Sequence, residues 1–334
     1  MSTISQQLWV EKYRPDTLDD VVGHDVAVER FRRFLNPQQS GGLPHTILHG
    51  PPGVGKTVVA LSFAKDLYGD QWRSNVREFN ASDDRGIDVV RDQIKGWCRT
   101  APTGGYPYKI VFLDEADQLT ADAQPALRRV MEEYSDSTRF ILTCNYINQI
   151  IDPLQSRCAT FHFGRLDDEH VGAVVDQVIE SEGVTAEGSA VDKVVTAAQG
   201  RPRDAIITLR SSVANGELRT EMVQSVTGVV DDTVVREVFE TALNGNHDDA
   251  MERFDVELLK AGANPDLLVE SCFRVLQQID MPPDSRVKCF ELLAEIDERI
   301  RAGLNPHVQF HALLGHVYLA QGLSVYEQQR GDSR

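Results

Sequence analysis

Residues 50–57, Gly-Pro-Pro-Gly-Val-Gly-Lys-Thr, constrain the fold of this chain more than any other segment. They fit the pattern GxxxxGK[ST] and stand between two stretches of different periodicity. PHTILH (44–49) is a short β-branched run, whereas VVALSFAKDLYG, directly after the loop, has helical spacing. An isolated glycine turn can match the pattern by chance; a strand before it and a helix after it make it a phosphate cradle. Glycines let backbone N–H groups curl around an anion, Lys56 reaches the β/γ oxygens, and the Thr57 hydroxyl is placed to ligate Mg2+. Gly50, Pro51, Pro52, Gly53, Val54, Gly55, Lys56 and Thr57 are therefore all assigned to nucleotide binding.

A second strand-like run, KIVFLDEAD (109–117), ends four apolar residues on two acids. A buried central strand delivers its last side chains to the carboxyl edge of a sheet, where α/β proteins bind ligands. Asp114 is expected to hold Mg2+ through water and Glu115 to polarise the attacking water. RFILTCN (139–145) brings Asn145 to the same edge, where its amide orients that water; ATFHF (159–163) is a fourth strand. Alternation with helices such as DAQPALRRVMEEYS (122–135) predicts an α/β fold with a parallel sheet and helices on both faces. From Asp167 the pattern is amphipathic helix throughout, with no convincing strand. Gly183, Gly188, Gly200 and Gly216 divide 167–227 into three or four short helices, and a longer all-α series follows Gly228, ending in a frayed tail at 327–334.

Charge narrows the partners. Asp and Glu number 51 against 34 Lys and Arg, a net charge of −17, so bulk attraction to nucleic acid or anionic lipid is disfavoured. DNA contact must come from a local basic patch. Only Lys12, Lys56, Lys65, Lys95, Lys109, Lys193, Lys260 and Lys288 are lysines, and an evenly acidic, lysine-poor chain resembles the proteins of salt-loving microbes, a merely acidic mesophile protein being the alternative. Five cysteines without metal-ligand spacing fit a reduced cytoplasm, and no run approaches the ~18 apolar residues of a membrane span.

The nucleotide loop, the DEAD segment, TCN, Ser156-Arg157-Cys158 and Leu8-Trp9-Val10-Glu11-Lys12-Tyr13-Arg14-Pro15 together closely resemble the replication factor C small-subunit family of AAA+ sliding-clamp loaders. The resemblance covers essentially the whole chain, including NASDDRGID (80–88), ALRRVME (126–132) and IIDPLQSRC (150–158). It implies an AAA+ core at 1–163, a helical lid at 164–227 and an all-α collar at 228–330. It further implies ATP as the nucleotide, Val10, Tyr13, Arg14, Pro15 and Val22 against the adenine, and Arg157 as an arginine finger acting in trans. Read without the family, Trp9 and Tyr13 are core aromatics and Arg14 a surface cation. The implied partners are other large and small subunits in a ring of five, the clamp PCNA, and primer–template DNA. Arg85, Arg91 and Lys95 would meet that DNA, the last two as i,i+4 neighbours on a helix over Ile87–Trp97; the bland alternative is an exposed face neutralised by Asp88 and Asp92. The clamp contact would fall between Ile94 and Tyr108, where Trp97, Tyr106 and Tyr108 are either anchors or sheet-edge packing.

One segment departs from the family. Members read GDMRRA where this chain has Gly200-Arg201-Pro202-Arg203-Asp204-Ala205. Arg203 keeps the place of the γ-phosphate-sensing arginine, while Asp204 is positioned to pair with it and blunt it. That leaves two further readings: a scaffold paralogue that binds ATP, lends its finger and hydrolyses little, and another DNA-acting AAA+ ATPase such as a branch-migration helicase.

Overall fold

A computed structural model describes residues 8–36, 42–83 and 85–331, with side chains to 320. The chain forms two compact units. One holds the described residues up to Gly183 together with Ala198–Arg210; the other holds Val184–Ala197 and the chain from Ser211 onward. The 164–227 segment thus contributes to both.

Five strands, β1 (Thr46–His49), β2 (Val76–Asn80), β3 (Lys109–Asp114), β4 (Thr138–Cys144) and β5 (Ala159–His162), form an all-parallel sheet in the order β2-β3-β4-β1-β5. The period of two divides its core cleanly. Leu48, Ile110, Phe112 and Ile141 pack on one face with Phe31 and Phe63, while Ile47, Val111, Leu113, Phe140 and Leu142 pack on the other with Leu127 and Met131. Both faces are covered, so the central strands read as continuous apolar runs. β2 is an edge strand that buries only Val76 fully, which is why VREFN carries no apolar run and was not expected from the sequence.

The helix expected over Ile87–Trp97 is interrupted: Val89–Ile94 is a π-helical turn, followed by an α-helical turn over Lys95–Cys98. Arg91 is exposed. The Lys95 ammonium pairs with Glu133 of the Ala123–Glu133 helix at 2.8 Å, so its partner is neither Asp88 nor Asp92. Tyr108 is buried, its hydroxyl accepting from the Leu43 N–H at 3.2 Å, and Tyr106 packs its ring 4.8 Å from that of Tyr68. Tyr108 is therefore sheet packing, whereas Tyr106 stays partly exposed. Trp97 covers the Lys109 ammonium, 3.9 Å from its ring centroid.

The second unit is helical around one core that includes Val238, Phe239, Phe254, Leu276, Phe310 and Leu314. It also contains a two-residue parallel pair, Thr185–Ala186 with Glu217–Leu218, against the expectation of no strand. The last helix, Pro306–Gly331, continues through residues expected to fray from 327. Among the described residues no helix is long and apolar enough to cross a membrane.

Candidate active site at the carboxyl edge of the sheet

Residues 50–57 follow β1 at its carboxyl end and turn on glycines. Gly50, Gly53 and Gly55 have φ of 144°, 79° and 108°, a region that L side chains rarely enter. Gly50 is doubly constrained, since a Cβ there would lie 1.9 Å from the Phe163 carbonyl oxygen. Lys56 opens the Lys56–Tyr68 helix, and its buried ammonium donates to the carbonyls of Gly50 (2.6 Å) and Pro51 (2.7 Å) and to Asn145 Oδ1 (3.0 Å). Burial pushes the pKa of this ammonium down, and the nearby Asp114 carboxylate opposes the shift.

Thr57 Oγ1 lies 3.3 Å from both Asp114 oxygens. The Thr143 hydroxyl donates to Asp114 Oδ1 and accepts from the Glu115 N–H at 3.0 Å, tying β4 to the end of β3. Glu115 sits at φ 54°, in the left-handed region, and its carboxylate accepts from the Ser82 hydroxyl. Asn145 is oriented from behind: Asp117 Oδ2 accepts from the backbone N–H groups of Asn145 (3.2 Å) and Tyr146 (3.3 Å). Sequence reading missed Asp117, although it is the last acid of DEAD. A hydroxyl and a carboxylate facing each other over 3.3 Å are the hard oxygen donors that Mg2+ takes, so Thr57 and Asp114 fit that ion.

Beside the loop lies a cavity of about 260 Å3. Val10, Tyr13, Arg14, Pro15 and Val22 line it together with Gly53, Val54, Gly55, Lys56, Thr57, Asp114 and Arg203. Neither Trp9 nor Tyr13 is buried, so they are not core aromatics. The Tyr13 hydroxyl and the Lys12 ammonium both donate to Glu182 Oε1, at 2.7 and 2.8 Å, fastening the N-terminal segment to the Asp168–Glu182 helix. Val174, Gln177 and Ile206 complete the wall and carry no motif that could have flagged them. His24, also in the lining, donates from Nε2 to the Val54 carbonyl at 2.8 Å and so braces the loop.

The altered segment arranges its charges differently from the sequence expectation. Asp204 pairs with Arg201, Nε to Oδ2 at 2.9 Å, instead of with Arg203. Arg203 remains on the cavity, its Cβ 3.5 Å from where a Cβ on Gly53 would stand. Arg157 is not in the cavity lining. Its guanidinium donates to the Pro153 carbonyl at 2.9 Å and pairs with Glu132 at 2.5 Å. Arg85 is exposed, with Nε donating to the Ser82 carbonyl at 3.3 Å.

Residues 46–165 match the family described as ATPase family associated with various cellular activities (AAA), and residues 230–316 match the replication factor C C-terminal domain. A replication factor C small subunit from Natronomonas pharaonis is 44% identical over 318 residues, 95% of this chain and 96% of that one. Proteins of the same description from Archaeoglobus fulgidus and Halobacterium salinarum are 42% and 43% identical, over 93% and 94% of this chain and 97% of each relative. Among solved structures, the Thermotoga maritima RuvB Holliday junction branch migration motor matches with a TM-score of 0.54 over 75% of this chain and 91% of its own, at 17% identity. At that identity the likeness is one of fold.

Proposed function

Because the chain belongs to the replication factor C small-subunit family, we propose that it is a hydrolysing subunit of a hetero-oligomeric ring of five large and small subunits, which closes on PCNA and primer–template DNA when ATP is bound and releases both on hydrolysis. The chain is an AAA+ ATPase of the clamp-loader kind. The observation that carries the reading is the meeting of Lys56, Thr57, Asp114 and Asn145, from three separate segments, at one sheet edge.

ATP enters with its adenine against Val10, Tyr13, Arg14, Pro15 and Val22 and its phosphates on the loop from Gly50 to Thr57. Lys56 and the loop N–H groups bind the β/γ oxygens, and Arg203 meets the γ-phosphate from above. Thr57 and Asp114 would hold Mg2+, which would supply neutralisation of the phosphate charge. Asn145, fixed by Lys56 and Asp117, orients the attacking water, and Glu115 takes up its proton. Arg157 stands outside its own cavity, which supports action on a neighbouring subunit's nucleotide. Arg85, Arg91 and Lys95 track DNA phosphates without reading bases. The charge of −17 and the scarcity of lysine support work in a salt-rich cytoplasm.

The scaffold reading drew on a blunted Arg203, and the Asp204–Arg201 pair removes that reason for it. Single-turnover hydrolysis by the assembled complex, with and without clamp and primer–template DNA, tests the proposal. Stimulated turnover assigned to this subunit supports it; ATP retained without turnover favours the scaffold.

A further inference from the structure

Within its own residues, the helical unit gathers two imidazoles and a carboxylate. Asp255 lies in a π-helical turn, Phe254–Leu259, and His307 and His311 stand one turn apart near the start of the Pro306–Gly331 helix. Both Nε2 atoms converge on the same oxygen, Asp255 Oδ1, at 2.9 Å from His307 and 2.7 Å from His311. The rings stack with centroids 4.2 Å apart, which sets the two nitrogens side by side, and all three ligand atoms lie within 4.8 Å of one another. The frame around them is fixed. Asn305 caps the helix by accepting from the His307 N–H at 3.0 Å, and Phe254 meets the His311 ring edge-on at 6.5 Å.

We propose that Asp255, His307 and His311 bind a borderline dication, Zn2+ in the first place, as a clip between two helical elements of this unit. Two imidazoles and one carboxylate are a Zn2+ donor set, with the remaining position left to water. Zn2+ at bonds of about 2.0–2.2 Å separates tetrahedral ligands by about 3.3 Å, so each contact need open by only about half an ångström. Side chains that are partly solvent-exposed have that freedom. Nitrogen donors disfavour Mg2+, so the clip is independent of the ion used with ATP.

The test uses the full chain, stripped with a chelator and titrated with Zn2+ in excess Mg2+, comparing wild type with His307→Ala, His311→Ala and Asp255→Asn. His307 is exposed, so His307→Ala keeps the fold, which circular dichroism checks. Wild type should bind one more Zn2+ per chain than each variant, show a Zn2+-dependent rise in Tm that the variants lack, and give an absorption-edge spectrum with two imidazole nitrogens at about 2.0 Å. Equal Zn2+ stoichiometry and equal Tm shifts in wild type and a folded His307→Ala would overturn the site.

Discussion

Asp204 Oδ2 accepts from Arg201 Nε at 2.9 Å, and Arg203, two residues on from Arg201, lines the nucleotide cavity.

Arg203→Ala should accordingly lower turnover at least about tenfold, the worth of one hydrogen bond to a charged group, while Asp204→Ala leaves it near wild type. Steady-state ATPase of the assembled complex separates them. A loss for Asp204→Ala as large as that for Arg203→Ala would mean that the ion pair itself holds the site.

Lys56→Ala removes an ammonium with three acceptors around it. Affinity for a fluorescent ATP analogue should fall by at least about 10–100-fold. Glu115→Gln should bind ATP normally yet slow hydrolysis by about 10²–10⁴, the usual contribution of a general base. Near-normal turnover in Glu115→Gln would move the base elsewhere.

Arg157 is held at the surface by Glu132 and the Pro153 carbonyl. Arg157→Ala should leave Tm unchanged and cut hydrolysis in the assembled ring by about 10³–10⁵, as arginine fingers do in GTPases. Mixing experiments should show the defect in the adjoining subunit's site. Vigorous hydrolysis by a proven wild-type monomer would refute action in trans.

On the DNA side, Lys95 is engaged with Glu133, and that hydrogen bond holds the Glu133 carboxyl below its ordinary range. Arg91→Glu should therefore weaken DNA binding, equally across sequences and with a shallower salt slope, more than Lys95→Glu does. Basal ATPase should be spared in both. Unchanged DNA affinity in the double variant would put the DNA surface elsewhere.

His45 gives the fold an acid sensitivity. Its Nδ1 accepts from the Phe140 N–H at 3.2 Å, and burial, reinforced by the charge of Arg139, pushes its pKa down to about 4. The unfolded chain, near the ordinary 6.5, binds this proton first, so stability present above pH 6.5 is lost as pH falls toward 4, by up to about 1.4 kcal/mol per pH unit. Urea melts at fixed salt should show wild type losing stability faster than His45→Gln across that window. Parallel curves would show that His45 does not carry the effect.

Much of this was written locally. The glycine loop, the apolar strands ending in Asp114–Glu115 and Asn145, and the helical second half are visible because a strand buried on both faces must be continuously apolar and a phosphate loop must have glycine at positive φ. The identity of the chemical groups at the sheet edge was therefore fixed by the residues themselves. β2 was not legible, since an edge strand exposed on most of its length needs no apolar run. Nor were the pairings: Asp204 with Arg201, Lys95 with Glu133, Tyr108 under Leu43, and His307 and His311 on Asp255. A charge or a ring in a sequence has several partners within reach, and only the packing of elements distant along the chain brings one of them to hydrogen-bonding distance and leaves the others in water.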